Sequence, residues 1–463
     1  MFNLSVLVNI LDSLEPPDVM TEEDYLNTLE VAGELIHDYL SGDYLKMAEP
    51  TFHSELYNDV HDELISQLSD AFAEDAEVEL ANVLEEAIKL YFAHIVPRRS
   101  YLNSEVYGSL NIESMTQKLD YLTNIPQPDQ RTEEWYQFRH KHLTASSIWK
   151  AFSTQSNINQ LIYGKCAPLD VSKYSRVNLE SPLHWGQKYE DVSIAWYENK
   201  YGTKVRDFGC IPHKKLKYLA ASPDGINVDP SSLKYGRMLE VKNIVNRDIT
   251  GIPKYEYWIQ MQIQMEVCEL SECDFLETRF IEYEDYTAFI QDGSFTHTSQ
   301  GKPKGIMMLF IDNEGSPIYK YLDIGADEER YIKLNSESMI EMSGKAAWLK
   351  TIYWKMDEVS VVLVKRNKKW FQSAEPILTK LWTTIEHERE NGYEHRAPRK
   401  RPRLAKDTTI TGGICLIKLD NYKSVIQQPR NDQSNNDSND DKNVVIMDID
   451  TETLDDANQY LDI

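Results

Sequence analysis

The sequence predicts an α/β domain with a mixed sheet flanked by helices, preceded by an α-helical region and followed by a polar tail. Three observations carry this. Over residues 1–125, apolar side chains recur at helical spacing. From 126 to 395, strand-like runs alternate with helix-like ones, as in a layered α/β domain. Over 396–463, a basic cluster gives way to an acidic stretch poor in aromatics. A chain of 463 residues exceeds one ordinary domain.

In order along the chain, "EEDYLNTLEVAGELIHDYL" sets Tyr25, Leu29, Ala32 and Leu35/Ile36 near one helical face. "EVELANVLEEAIKLYFAHIV" repeats the spacing with Leu80, Val83/Leu84, Ile88 and Phe92. The ordinary reading of this region is a helical bundle that packs or recruits a partner, with no catalytic site of its own. "LTNIPQPDQRT" marks a boundary, because two prolines among polar residues break the helical pattern. Strands are expected at "RMLEVKN", "DFLETRFIEY", "KGIMMLFID" and "VSVVLVKRN". The cluster "RAPRKRPRLAK" contains, at 398–403, the composition of a nuclear import signal. "QPRNDQSNNDSNDDKN" is expected to be disordered. The final "VVIMDIDTETLDDANQYLDI" alternates acidic and apolar residues; folding on a partner and remaining solvated are equally open.

The formal net charge of −26 is unevenly spread. Residues 1–100 hold 22 Asp+Glu against 4 Lys+Arg, and residues 407–463 hold 12 against 4, which leaves 101–406 neutral. A neutral middle can still carry a basic groove, so acidity does not exclude nucleic acid as a partner. No apolar run is long enough to span a bilayer, and no membrane partner is expected. The opening "MFNLSVLVNILDSLEPPD" has no basic residue before its short apolar run, so no secretory signal is expected. Five cysteines without metal-ligand spacing read as reduced thiols of an intracellular protein.

The stretch "ASPDGINVDPSSLKYGRMLEVKN" carries the chemistry. "INVDPSSLKYGR" reads as strand, turn and strand, which would lay Asp224 beside Glu240. Two carboxylates so placed can share a hard divalent cation, magnesium or manganese, with the Val241 carbonyl as a further oxygen ligand. Lys242 shares a strand face with Glu240, since side chains alternate. Its amine can orient a metal-bound water, help deprotonate it, or stabilise charge developing on phosphorus. Taken alone, an acid and a lysine two apart on a strand are more often a salt bridge, and "SPDG" is more often only a turn.

With its neighbours, the stretch resembles the metal-binding core of the PD-(D/E)xK nuclease superfamily, and more narrowly the lambda exonuclease and YqaJ-type viral recombinase family of large DNA viruses. "WYQFRHKHLTASSIWKAF" resembles that family's W-x-x-x-R…T-A-S segment, "HWGQKYEDVSIAWYENKYG" its G-x-x-x-E helix, and "YEYWIQMQIQMEV" its glutamine-bearing helix. The four ordered motifs cover roughly residues 131 to 283. Residues 1–125 and the tail lie outside them. The resemblance implies a restriction-endonuclease-like core over 126–395 and magnesium-dependent hydrolysis of double-stranded DNA from 5′ ends. It also implies hand-over of the exposed strand to an annealing or single-strand-binding protein and, in several members, ring-shaped trimers.

Carried over residue by residue, the resemblance makes Asp224, Glu240 and Val241 metal ligands, Lys242 the positioner of the nucleophile, and Glu190 the third acid, with Asp191 its competitor. It gives Arg139 and Ser146 the 5′-phosphate, and sets Gln260 and Tyr257 in the active-site wall. The residues also have plainer readings. Arg139 can pair with Glu134, and Thr144 or Ser146 can simply cap the following helix. Glu190 can be a flank charge beside the apolar stripe of Trp185, Tyr189, Val192 and Trp196. "YWIQMQIQM" fits strand alternation as well as a helix, and the resemblance decides for helix. One departure is the basic "PHKKLKYLAA" before "SPDG", which bears on how the strand is gripped. "VKRNKKWF" at 364–371 is another candidate for phosphate contacts, with a solvated hairpin equally open. The competing functions are an endonuclease of the same superfamily, and a non-catalytic DNA-binding or scaffold protein; in each reading the protein is expected inside the cell, in the host nucleus or cytoplasm.

Overall fold

The computed structural model describes residues 20–68, 77–102, 111–130, 132–170, 178–179 and 181–398. The tail beyond 398, with the import-signal composition and Cys415, lies outside the described residues.

Helix α1 (Glu22–Gly42) starts at Thr21, whose hydroxyl accepts from the Asp24 N–H, and buries Tyr25, Leu29, Ala32, Ile36 and Leu40 along one stripe. It packs with α2 (Phe52–Leu68) and α3 (Glu77–His94), the latter through Leu80, Val83, Leu84, Ala87 and Ile88. Helix α4 (Ile112–Asn124) ends just before the proline-rich boundary. These helices share one apolar core with the α/β part, because Leu29, Leu84 and Phe92 belong to the same buried cluster as Trp258, Met261 and Trp370.

Arg99 ties the two parts together. Its guanidinium, 2% exposed, donates to the Ala48 carbonyl at 3.0 Å and the Pro253 carbonyl at 2.5 Å, while its own carbonyl accepts from the Trp258 indole at 2.8 Å. Burial lowers its pKa to about 10.

The α/β part continues with α5 (Glu133–His140), β1 (Leu143–Thr144), α6 (Gln155–Cys166) and α7 (Pro182–Tyr201). After these come β2 (Val205–Arg206), β3 (Ile211–Pro212), β4 (Leu219–Ala221), β5 (Gly225–Asn227), β6 (Met238–Asn243), α8 (Tyr255–Cys268), β7 (Glu272–Glu282) and α9 (Tyr286–Gln291). The chain then forms β8 (Lys304–Asp312), β9 (Pro317–Tyr321), α10 (Glu328–Met342), β10 (Ala346–Lys365) and α11 (Lys368–Asn391). Among the described residues, seven strands make a mixed sheet in the order β2-β5-β6-β7-β10-β8-β9, in which only β6 and β7 run parallel. A smaller sheet has the order β1-β4-β3.

The expected strands "RMLEVKN" and "KGIMMLFID" are β6 and β8, and "DFLETRFIEY" is most of β7. "VSVVLVKRN" is only the last part of β10, which starts at Ala346 and slips register between Met356 and Glu358. Its first half escapes a pattern reading because Trp348 and Leu349 are about half exposed and lysines intervene. "VKRNKKWF" is the end of β10 and the start of α11. Among the described residues, Cys166, Cys210, Cys268 and Cys273 are free thiols, and no helix is long and apolar enough to cross a membrane.

Candidate active site

The Ser222-Pro223-Asp224 turn feeds β5, which pairs antiparallel with β6 as Gly225↔Leu239 and Ile226↔Met238. That register sets Asp224 against Glu240 and Val241, and the Asp224 Oδ2 accepts from the Val241 N–H at 2.8 Å. The glycine of the turn is needed because a Cβ on Gly225 would lie 2.2 Å from Val205 Cγ1 of the neighbouring strand. Two positions apart on β6, Glu240 and Lys242 share a face, and the Lys242 ammonium donates to Glu240 Oε1 at 2.5 Å. Glu240 is fully buried, and its other oxygen accepts from the Gln264 amide at 2.8 Å. The same amide donates to the Ser222 carbonyl at 3.1 Å, so one side chain of α8 fastens the turn before Asp224 to the acid across from it. The Tyr257 ring lies 5.1 Å from the Lys242 ammonium and 5.6 Å from the Arg247 guanidinium.

The electrostatics of this cluster are unbalanced. Burial, then the Glu240 charge, and more weakly Glu190, push the Asp224 carboxyl well above the usual range, against the opposing pull of Lys242 and the Val241 N–H. Burial by itself would lower Lys242, but Glu240 and Asp224 outweigh it and hold the side chain protonated. An ammonium so held orients and stabilises anionic groups; it is not a base in this state.

Asp224 and Glu190 open onto a cleft of about 400 Å³ that Gln187, His184, Asp191 and Tyr319 also line. Of the two competing acids on α7, Glu190 is half-buried and its charge is felt at Asp224, whereas Asp191 is exposed and also lines a neighbouring cleft with Glu198 and Asp229. Among the described residues there is no group of three or more metal-ligating side chains. Two carboxylates and a carbonyl, with water and phosphate oxygens making up the shell, are nevertheless a donor set suited to magnesium. A divalent cation would also relieve the repulsion that raises Asp224.

Arg139, in the last turn of α5, donates to the Ser146 hydroxyl at 3.1 Å and stacks on Trp135 at 4.3 Å. The expected capping by Thr144 or Ser146 is corrected. The segment after Ser146 is a 3-10 turn over Ile148–Phe152 with no side-chain cap bond, Thr144 is buried in β1, and α6 is capped by Thr154. Cations gather beside Arg139. The Lys165 ammonium donates to the Arg139 carbonyl at 2.8 Å, and Arg389 donates to the carbonyls of Lys165 and His140. Burial, then the charge of Arg139, lowers Lys165 to about 7. Burial lowers Lys150 to about 8.

The parallel pairing of β1 with β4, Thr144↔Ala220, carries Ser146 toward the Ser222–Asp224 turn. Cys210 adjoins both Arg139 and Ser222. Ser146 and Asp224 thus follow neighbouring strands of the smaller sheet. Lys165, Lys150 and Arg389 lie too far from Arg139 in sequence for spacing to point to them. Gln264 was within reach of inference, because Tyr257, Gln260 and Gln264 form one stripe of α8. It is Gln264 that bonds Glu240, while Gln260 is half-buried one turn away.

Residues 134–271 match the model of the YqaJ-like viral recombinase domain. Over those residues the chain is similar to that domain. The resemblance of the four motifs to the lambda exonuclease and YqaJ-type family of viral nucleases therefore stands, and the helix-flanked mixed sheet is a PD-(D/E)xK-like α/β fold. The chain is 26% identical over 327 residues to an uncharacterised protein of Acanthamoeba polyphaga mimivirus, a match that covers 61% of this chain and 57% of that protein. The match thus spans little more than half the length of this curated relative. A crystal structure of an alkaline exonuclease from Laribacter hongkongensis matches with a TM-score of 0.29 at 16% identity, over 57% of this chain and 100% of the other.

Proposed function

We propose that the protein is a metal-dependent deoxyribonuclease that degrades duplex DNA from 5′ ends in viral recombination or replication. The observation that carries this reading is the Asp224–Glu240–Lys242 cluster, where Asp224 at the cleft faces the buried Glu240 and the lysine ammonium sits on Glu240. Asp224, Glu240 and the Val241 carbonyl would hold the divalent cation, with Glu190 beside them. Bound there, the cation supplies Lewis acidity and a water of lowered pKa. The chain's own side chains do the rest. Lys242 donates to the attacking water or to the phosphoryl oxygens as charge develops. Gln264 fixes the Glu240 carboxylate, and Tyr257 closes the wall over Lys242. Arg139, with Ser146, would hold the terminal phosphate through charge-assisted hydrogen bonds. The exposed strand would pass to an annealing or single-strand-binding protein, and self-association into a ring belongs to the same proposal.

The test is digestion, with magnesium, of linear duplex carrying a 5′-phosphate, linear duplex carrying a 5′-hydroxyl, and closed circles. The 5′-phosphorylated duplex should be degraded fastest. Arg139→Ala should erase most of that preference, about ten- to hundredfold for lost charged hydrogen bonds of roughly 1.5–3 kcal/mol. Efficient cutting of closed circles without dependence on the terminal phosphate would assign an endonuclease instead.

A further inference from the structure

The two basic segments that the cleft does not use, "PHKKLKY" and "KRNKKW", meet on one face of the molecule. The β3–β4 loop carries Lys214, Lys215 and Lys217, all exposed, and α11 opens with the exposed Lys368 and Lys369. Lys118 of α4 joins them. The arrangement is held from beneath. The His213 ring accepts from the Lys215 and Leu216 N–H groups at 3.1 and 2.9 Å and lies 4.0 Å from Glu266, which Arg366 grips from the other side at 2.5 Å. Tyr218 stacks on Trp382 of α11 at 5.8 Å and meets the Thr379 hydroxyl at 2.8 Å. Lys118 donates to the Glu269 carbonyl at 2.6 Å, and Lys214 reaches the Glu269 carboxylate at 2.7 Å. The positive charges of Arg366, Lys214 and Lys368 are all felt at Lys118.

Glu266 and Glu269 are thus committed to Arg366 and Lys214. Lys215, Lys217, Lys368 and Lys369 have no carboxylate partner among the described residues. The first turn of α11 holds two lysines and no acid, the reverse of what the helix dipole favours. In a chain of net charge −26, this concentration of cations is not background solubility.

The surface lies beyond the acids along the strands. β10 reaches it at Lys365, which pairs with Glu272, whereas Glu240 pairs with Phe275. Three residues of β7 separate the two, about 10 Å at strand rise. We infer that this lysine face is a second DNA-backbone contact, which grips substrate phosphates beyond the cleft without reading sequence. Flexible point charges spread over a loop and a helix start suit a repeating phosphate chain, whereas a single small anion would call for one tight pocket. The inference rests on the nuclease reading for its partner and adds a surface to it.

The experiment replaces Lys215, Lys217, Lys368 and Lys369 together by Gln. Binding of a 30-base-pair duplex with a 5′-phosphate or a 5′-hydroxyl end is measured by fluorescence anisotropy across salt concentrations, in EDTA so that nothing is cut. The variant should bind both duplexes at least tenfold more weakly. Its dependence of log K on log salt should be shallower by about 0.9 for each lysine that meets a phosphate. The ratio of affinities for the two ends, set at Arg139 and Ser146, should be unchanged. An unaltered salt slope, or loss of the end preference along with the affinity, would overturn the inference. Failure of the nuclease reading would appear separately, as absence of cleavage by the unaltered protein with magnesium.

Discussion

Two buried charge clusters sit on neighbouring residues of the same two strands, and they are built on opposite plans. Beside Glu240 on β6, Leu239 pairs with Asp274 of β7. Asp274, fully buried, accepts from Lys234 at 2.6 Å, Arg237 at 3.1 Å and the Tyr197 hydroxyl at 2.6 Å, while Arg237 also holds Glu272 at 2.7 Å. Two acids thus meet two bases, and each is matched. Asp224 and Glu240 share the single ammonium of Lys242, and the charges of Glu240 and Glu190 drive Asp224 toward its neutral form. A matched cluster is complete without a ligand and serves the fold; here it pins the β5–β6 hairpin that sets Asp224 against Glu240. An unmatched one retains a demand for positive charge that a ligand would meet.

The contrast can be broken most severely at Asp224. Asp224→Asn should cost at least about 10²–10³-fold in cleavage, the scale of losing transition-state electrostatics, and leave thermal stability equal or higher because a repulsion is removed. Its counterpart, Asp274→Asn, should reverse the pattern. Removing the buried charge that Lys234 and Arg237 share should cost about 3–5 kcal/mol in chemical denaturation, with activity falling only as far as the folded fraction does. Between the two lies Gln264→Leu. It should raise the magnesium concentration for half-maximal activity roughly 10–100-fold, as expected for a residue that orients a metal-binding carboxylate, with little change in rate at saturating metal. A matching fall in rate at saturation would assign Gln264 to the reacting atoms.

The smallest effect is confined to a pH window and belongs to the helical layer. Burial, then Arg98 and Arg99, hold the His53 pKa at about 4, and its ring accepts from the Arg99 N–H at 3.1 Å. Between about pH 4 and 6.5 the unfolded chain takes up a proton that the folded chain refuses. Stability should therefore rise with pH across that window and be complete above it. His53→Gln should flatten this slope in denaturation curves at pH 5 and 7.

The parts legible in the sequence were those in which local pattern and tertiary role agree. The α1 stripe, β6 and β8 face one core and keep one period, and the turn-and-strand reading of "INVDPSS" gave the pairing of Asp224 with Glu240. What stayed hidden needed distant segments. Lys165 and Arg389 approach Arg139 only through packing of α6 and α11. Arg99 works through carbonyls at Ala48 and Pro253, contacts with no sequence signature. The two basic segments could be seen separately, but the His213–Glu266–Arg366 link and the Tyr218–Trp382 stack make them one face.

The central claim is that the unmatched acids, and not the matched ones, hold a divalent cation. Manganese binding followed by electron paramagnetic resonance measures this without any cleavage. The unaltered protein should bind manganese at a site that magnesium competes for. The Asp224→Asn/Glu240→Gln double variant should bind at that site at least tenfold more weakly, and folded Asp274→Asn protein should bind as the unaltered protein does. Undiminished manganese binding in the double variant would contradict the account.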